Sequence, residues 1–388
     1  MNIVFFAHPD FLHLKSMIRY TNMLVKGMRE RGHNVEVWSP NSKFLFLTSI
    51  TFFKKWLGYL DQYILFPIKI RHSIKICPSD TLFVFTDHAL GPWVPLVSNR
   101  PHIIHCHDFL AQRSALNEIA EHKTGWTGRR YQNMIYNGYS KAKNFISVSQ
   151  KTKEDLHQFL PYVPQLSEVV YNGFNQTFIP HDAGKARALL SSKTGIELTK
   201  GYLLHVGGNQ WYKNRIGVLE IYEAFRSKNN LEIPLLMVGD MPDHLLNSKV
   251  RNSIYKKDIH FLTNINDCFL NFCYSGASVF VFPSFAEGFG WPIAEAMASG
   301  CPVITTNEAP MTEVAGQAGF LIPRRPSDDC KACEWAYEAA KVVKLVLSLL
   351  PNERKAVIDE CINNIERFNA INAISRIESI YEDVMKFN

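Results

Sequence analysis

Short apolar runs alternate along most of the chain with longer stretches whose apolar positions recur every three or four residues, the pattern of strands and helices in βαβ succession. NIVFFA (2–7) reads as a buried strand, and MIRYTNMLVKGMRERGH (17–33) as a helix closed by Gly32. NVEVWSP (34–40), DTLFVFT (80–86), PHIIHCH (101–107) and KNFISVS (143–149) follow as strands. Their near-continuous apolarity is what a parallel strand covered on both faces requires. A turn-rich segment, YNGFNQTFIP (171–180), interrupts the series. A second series then begins with GYLLHVG (201–207), the helix IGVLEIYEAFRS (216–227), PLLMVGD (234–240) and DIHFLT (258–263). The helix NDCFLNFCYSGA (266–277) and the strands SVFVFPS (278–284), CPVITT (301–306) and AGFLIP (318–323) complete it, and the chain from 332 onward is mostly helical in period.

These elements predict an α/β chain with two doubly wound, Rossmann-like parallel sheets: an N-terminal domain over 1–171 and a second over 172–367. A length of 388 residues, too great for one ordinary core, agrees. Two such sheets facing each other would create a cleft at the carboxyl ends of their strands, where open α/β sheets bind ligands.

Composition narrows the class. Hydrophobic residues at 46% and charged residues at 20% exclude a disordered chain. The longest apolar run, Phe44 to Phe53, falls well short of the roughly 20 residues that span a bilayer. MNIVFFAHPD is expected to be a first strand and not a signal peptide, since no basic region precedes it. The eight cysteines are scattered, and the pair Cys330 and Cys333 has no second pair at zinc-like spacing. They read as reduced thiols of a cytoplasmic protein, with no cofactor and no metal expected.

The net charge of +6 is unevenly distributed. Between residues 41 and 76, Lys43, Lys54, Lys55, Lys69, Arg71 and Lys75 face Asp61 alone, interleaved with Phe44, Phe46, Phe52, Phe53, Trp56, Tyr59, Tyr63 and Phe66. No nucleic-acid motif accompanies them. Two readings stand: an interfacial element lying on anionic lipid, or an ordinary insertion whose aromatics face the core. The first would make the protein peripheral on the inner face of the cytoplasmic membrane.

The chemistry concentrates in FPSFAEGFGWPIAEAMASGCPVIT (282–305). A strand ends near Phe282, a loop carries Glu287, Gly288 and Gly290, and Pro292 suits the first position of a helix running to Ser299 and stopped by Gly300. That helix start is a seat for phosphate, and the glycines let backbone approach a ligand closely. Glu295, expected in the first turn, reads either as a carboxylate favoured by the helix dipole or as one accepting both hydroxyls of a ribose. Glu287 would hold another part of the same ligand. A glycosidase acid/base pair is disfavoured by the phosphate seat between the two.

EGFGWPIAE (287–295) resembles the E-x7-E element of the retaining glycosyltransferases of family 4, which have the GT-B fold. GMRERGHNVEVWSP, IIHCHD, ISVSQKTKEDL, VVYNGFN, HVGGNQWYKN, MVGD and PMTEVAGQAGFLIP also resemble that family's motifs, in its order, over most of residues 28–325. The resemblance implies transfer of a sugar from a nucleoside diphosphate sugar to an acceptor hydroxyl, with retention and without a protein nucleophile. It implies that Glu287 contacts the transferred sugar, that the Gly288–Phe289–Gly290 backbone takes its hydroxyls, that N–H groups at Ile293 and its neighbours take the diphosphate, and that Glu295 takes the ribose. Lys213 would counter the charge on the departing diphosphate. Where relatives carry an arginine before that lysine, this chain has Asn209 and Gln210, and Arg215 is the candidate replacement. His107 would contact the sugar, and Asp108 would orient it or bind acceptor. The chain has no glycine-rich loop after the first strand, so Lys15, Ser16 and Arg19 are the candidates for acceptor contacts there. The final segment, 368–388, would cross back to the first domain as a helix. Metal independence is expected, because no D-x-D occurs. The basic aromatic segment points to a glycan or lipid-linked glycan acceptor in surface polysaccharide synthesis. The alternatives are a sugar phosphorylase or sugar-phosphate synthase of the same fold with a soluble acceptor, and an idle nucleotide-sugar-binding protein.

Overall fold

The computed structural model describes residues 1–387 except 13, 45–50 and 175–177, and omits the side chains of residues 15, 51–53 and 55. The chain forms two compact units: Met1–Ile119 with Lys123–Gly173 and Ala370–Asn388, and Ala120–His122 with Phe174–Asn369.

The first unit holds a six-stranded parallel sheet in the order β2-β1-β3-β4-β5-β6. Its strands are β1 Asn2–Phe6, β2 Asn34–Trp38, β3 Leu82–Phe85, β4 His102–Cys106, β5 Asn144–Ser147 and β6 Leu166–Val169. Strand alternation sends side chains to opposite faces. Val4, Phe6, Phe83 and Phe85 join Phe66, Trp93 and Phe109 on one face. Ile3, Phe5, Leu82 and Val84 join Leu24, Met28, Ile374, Ile377 and Tyr381 on the other. The helix Ala370–Lys386 therefore completes the first unit, its buried residues recurring at helical spacing. It lies so close to the helix Lys15–Glu30 that a Cβ on Gly27 would stand 2.8 Å from Ile374. β6, LSEV, is half-buried throughout, which is why no apolar run announced it.

Residues 51–76 are helical: Thr51–Leu60, a π-turn Asp61–Leu65, then Phe66–Ile76. Asp61 is buried and accepts the backbone N–H groups of Lys43 (3.0 Å) and Phe44 (3.1 Å). The aromatics of this segment divide between the core and the surface. Tyr63 and Phe66 pack against Trp93, whereas Trp56, Leu60, Ile64 and Ile68, four residues apart in succession, are exposed by 50%, 39%, 50% and 61%. Phe46, Phe52, Phe53 and Lys55 lie outside the described residues or have undescribed side chains.

The second unit holds the other six-stranded parallel sheet, ordered β12-β11-β10-β7-β8-β9. These strands are β7 Leu203–Gly207, β8 Leu235–Gly239, β9 Ile259–Leu262, β10 Val279–Phe282, β11 Val303–Thr306 and β12 Phe320–Ile322. Helices Arg215–Lys228 and Asp329–Leu347 pack on one face through Val218, Ile221, Tyr222, Trp335 and Val343.

Candidate functional site

Strand order marks the positions where open α/β sheets bind ligands. In the second sheet the chain leaves β7 toward β8 and β9, then returns to the other side of β7 as β10 and continues outward. The carboxyl ends of β7 and β10 thus flank a topological switch point, where connections diverge and leave a crevice. In the first sheet the same reversal falls between β1 and β3.

At the second sheet's switch point two loops are laced together. Phe285 N–H donates to the Tyr212 carbonyl (2.8 Å), and Asn214 Nδ2 donates to the Pro283 carbonyl (2.9 Å). Asn214 also caps the following helix, its Oδ1 accepting from Gly217 N–H at 3.1 Å. This lacing sets Lys213 against Glu287: Nζ lies 2.8 Å from Oε1 and 3.0 Å from Oε2. The side chains are only 13% and 8% exposed. Nζ also stands 5.0 Å from the Phe282 ring, close enough for a cation–π attraction. Burial costs such a pair much or all of what its attraction returns, but either partner left alone would be strongly penalised.

The helix after Glu287 is Trp291–Ala298, so Pro292 is its second residue, not its first. Gly290 precedes it at φ +108°, a conformation in which a side chain is strained. Two expectations change. Ile293 N–H is engaged by the Gly290 carbonyl at 3.0 Å. Glu295 lies beyond the first turn, where the dipole no longer favours it, and is buried with the Tyr274 hydroxyl donating to Oε2 at 3.2 Å. Burial, reinforced by the Glu295 charge, pushes the Tyr274 phenol well above its usual pKa, so it stays a donor. Phe289 is buried, edge-on to Trp291 and Phe368 at 5.5 and 5.3 Å. Gly288 is half-buried on the loop.

Arg215 is buried at the start of its helix, donating through Nη1 to Asn209 Oδ1. Its Nε and Nη2 are buried without hydrogen-bond partners among the described residues. Burial lowers its pKa, against the pull of Asp240 and Asp243. Asn209 is held in turn, N–H to Asp240 Oδ2 at 3.1 Å and Nδ2 to the Met241 carbonyl at 2.7 Å. The structure thus groups Asn209 with Arg215, and Lys213 with Glu287.

In the first unit His107 and Asp108 follow β4. His107 Nε2 donates to the Thr86 carbonyl at 2.9 Å, which leaves Nδ1 as the acceptor nitrogen. Burial lowers its pKa against the raising influence of Asp87 and Asp108. Asp108 Oδ1 accepts Leu110 N–H at 3.0 Å, and burial raises its pKa. His105 lies between the Tyr20 and Tyr381 hydroxyls, 2.7 Å from each, its pKa pushed down to about 3 by burial. Among the described residues no three metal-ligating side chains converge. The helix Lys15–Glu30 follows β1, with Ser16 exposed, Arg19 half-buried and the Lys15 side chain outside the described residues.

Sequence reasoning missed a cluster at the first switch point. His8, just past β1, places Nε2 2.8 Å from Asp87 Oδ2, just past β3. Asp87 Oδ1 accepts Ala89 N–H at 3.1 Å, and His88 Nδ1 lies 3.0 Å away without forming a hydrogen bond. The only signal was a polar histidine or aspartate directly after each apolar run, in AHPD and TDH.

The family model described as Glycosyltransferase Family 4 matches residues 17–178, and that described as Glycosyl transferases group 1 matches residues 200–339. The chain belongs to glycosyltransferase family 4. Among curated relatives, the O-antigen chain mannosyltransferase B of Escherichia coli is 28% identical over 196 residues, 50% of this chain and 51% of that protein. The chain spans about half the length of such relatives. Among solved structures, sucrose-phosphate synthase from Thermosynechococcus elongatus superimposes with a TM-score of 0.73 over 100% of both chains at 17% identity. Anabaena HepE in complex with UDP and glucose gives 0.69 over 98% of both chains at 15% identity. The family 4 chain has the GT-B fold that these neighbours share.

Proposed function

We propose that this family 4 chain is a retaining glycosyltransferase that moves a sugar from a nucleoside diphosphate sugar to a hydroxyl of a glycan or lipid-linked glycan. The observation that carries the reading is the Lys213–Glu287 pair at the second sheet's switch point. A glycosyl diphosphate meets both halves of it: the diphosphate takes the ammonium, and the sugar hydroxyls take the carboxylate. As the bond from the anomeric carbon to the diphosphate oxygen breaks, the electron pair stays on the diphosphate, and Lys213 answers that charge at a fixed position. Arg215, with two buried nitrogens, Nε and Nη2, lacking partners among the described residues, supplies a second cationic contact without any metal. Gly288–Gly290 and the start of the helix Trp291–Ala298 line the sugar–diphosphate path, and Glu295 takes the ribose. The second unit is thereby the donor domain. His107 and Asp108 serve hydroxyl recognition in the acceptor domain, the first unit.

The exposed row Trp56, Leu60, Ile64 and Ile68, with Lys54, Lys69, Arg71 and Lys75 exposed on the same segment, favours a lipid-linked acceptor met at an anionic membrane surface. No helix among the described residues is long and apolar enough to cross a membrane. Related transferases of surface glycans, such as the Escherichia coli O-antigen mannosyltransferase, agree with this choice.

The test is a donor panel. UDP- and GDP-sugars are incubated with the protein and a bacterial membrane-lipid extract, and released nucleoside diphosphate is measured with the product's anomeric configuration. Acceptor-dependent release with retention is expected. Release that requires inorganic phosphate would instead identify a phosphorylase, and no release from any donor would end the reading. Co-sedimentation with phosphatidylglycerol vesicles, abolished by W56S/I64S, is the companion expectation, and equal binding by the variant would remove the membrane component.

A further inference from the structure

At the second sheet's switch point β7 parts from β10 beyond Leu204. The two strands pair at Leu203–Val279 and Leu204–Phe280, whereas β7 stays paired with β8 as far as Gly207–Gly239. The imidazole of His205 occupies the parting. Its Nδ1 lies 3.0 Å from the Val281 carbonyl, and its ring stacks on Phe282 at 6.0 Å. A carbonyl only accepts, so Nδ1 carries the proton and Nε2 the lone pair. Burial pushes the pKa down to about 3 against the pull of the Val281 carbonyl, with Arg215 and Lys213 adding to the effect, so the ring is neutral.

His205 is wholly buried, and among the described residues its Nε2 has no hydrogen-bond partner. A buried acceptor left without a partner costs free energy and calls for a donor. Lys213 is a donor beside it. A Cβ on Gly207 would stand 3.0 Å from Nε2 and 3.5 Å from Lys213 Cδ, so the bare glycine keeps open the space between the ring and the lysine stem. Nζ stands 5.0 Å from the same Phe282 ring on which His205 stacks.

We propose that His205 is a positioning residue for Lys213, its Nε2 accepting an ammonium N–H when sugar hydroxyls of a glycosyl diphosphate occupy Glu287. The inference rests on the glycosyl-transfer reading and lies wholly within the second unit. Glu287 holds Nζ through both of its oxygens, at 2.8 and 3.0 Å. Once hydroxyls take that carboxylate, the ammonium needs another acceptor to fix its direction, and its stem is flexible enough to turn. A second carboxylate would offset the charge that the departing diphosphate requires. A neutral imidazole orients the ammonium and leaves its charge whole. A histidine that only tied β7 to β10 would have no use for an open acceptor nitrogen beside a lysine.

Three variants separate the two roles of the ring. H205N keeps a donor to the Val281 carbonyl but has no atom at the place of Nε2. H205Q sets an acceptor oxygen there and loses the tie to Val281. G207A leaves the imidazole untouched and puts a methyl group into the gap, so it carries the test even where H205N does not fold. Binding of UDP and GDP is measured by calorimetry, and kcat by release of nucleoside diphosphate from the UDP- and GDP-sugars, in each variant and in H205N/K213A. H205N and G207A are each expected to lower kcat and weaken nucleoside diphosphate binding by about 10-fold or more, the effect of one hydrogen bond to a charged group. H205Q should stay within threefold of the unaltered chain, and H205N should change the binding of K213A by less than twofold. H205N and G207A both within threefold of the unaltered chain overturn the inference and leave the glycosyltransferase reading standing. H205Q falling as far as H205N overturns it as well, since that marks a tie to Val281, and so does a loss that adds in full to that of K213A. Failure of the unaltered chain to release nucleoside diphosphate from any donor overturns both.

Discussion

The two sheets share a parallel, doubly wound plan, yet their switch points carry different chemistry. The second sheet's crevice holds an ammonium, a carboxylate and a buried guanidinium with spare N–H groups. The first sheet's crevice holds imidazoles around one carboxylate, and among the described residues no lysine or arginine pairs with it. Fixed positive charge suits a diphosphate, whose charge grows as it leaves. Imidazole suits a hydroxyl, which must shed a proton near neutral pH. One topology thus carries a lysine–carboxylate pair and a guanidinium in one unit and imidazoles with a carboxylate in the other, through the residues that follow the strands.

Removing the second unit's charge should produce the largest effect. K213A is expected to lower kcat by about 10²–10³, the cost of one preorganised donor, and to leave Glu287 as an unpaired buried carboxylate. Steady-state release of nucleoside diphosphate measures this, and a loss under threefold would dissolve the contrast between the crevices.

Acid should separate the units next. His105 and His205 are fully buried, and burial pushes each pKa down to about 3. Unfolded histidine titrates near 6.5, so below that pH the unfolded chain binds protons that the fold refuses. Stability is therefore full above about pH 6.5 and falls as pH drops toward 3, by about 1.4 kcal/mol per pH unit for each ring. At pH 5 that is about 2 kcal/mol per histidine. The first unit also buries His102 and His107, whose pKa values burial lowers. It should unfold first on acidification, and H105Q should recover about 2 kcal/mol at pH 5 relative to pH 7. Urea titrations followed by hydrogen exchange in each unit provide the check.

The smallest expected effect is local. G290A forces alanine to φ +108° with its Cβ 3.3 Å from Ile293, costing about 1–3 kcal/mol in the second unit. Hydrogen exchange should show the first unit's protection unaltered.

The fold was legible because parallel strands are apolar on both faces: LFVF and VFVF are buried at every position. LSEV, edge-placed and half-polar, escaped for the same reason. Lys213 and Glu287 were each legible from local motifs, but their pairing spans 74 positions and no local pattern encodes it. The His8–Asp87 contact spans 79 and lacks even a motif. Glu295 was misplaced by one step, because Trp291 rather than Pro292 opens the helix. The segment 41–76 was legible in composition but not in direction, since a π-turn and buried Asp61 decide which aromatics face inward.

The division of labour is tested most directly by calorimetric titration of the active nucleoside diphosphate onto four proteins: the unaltered chain, K213A, R215M and H8Q. Hydrogen bonds to charged groups are worth about 1.5–3 kcal/mol, so K213A and R215M should each weaken binding by roughly 10- to 100-fold. H8Q should bind as the unaltered chain does. Equal weakening by H8Q, or undiminished binding by both second-unit variants, would contradict the account.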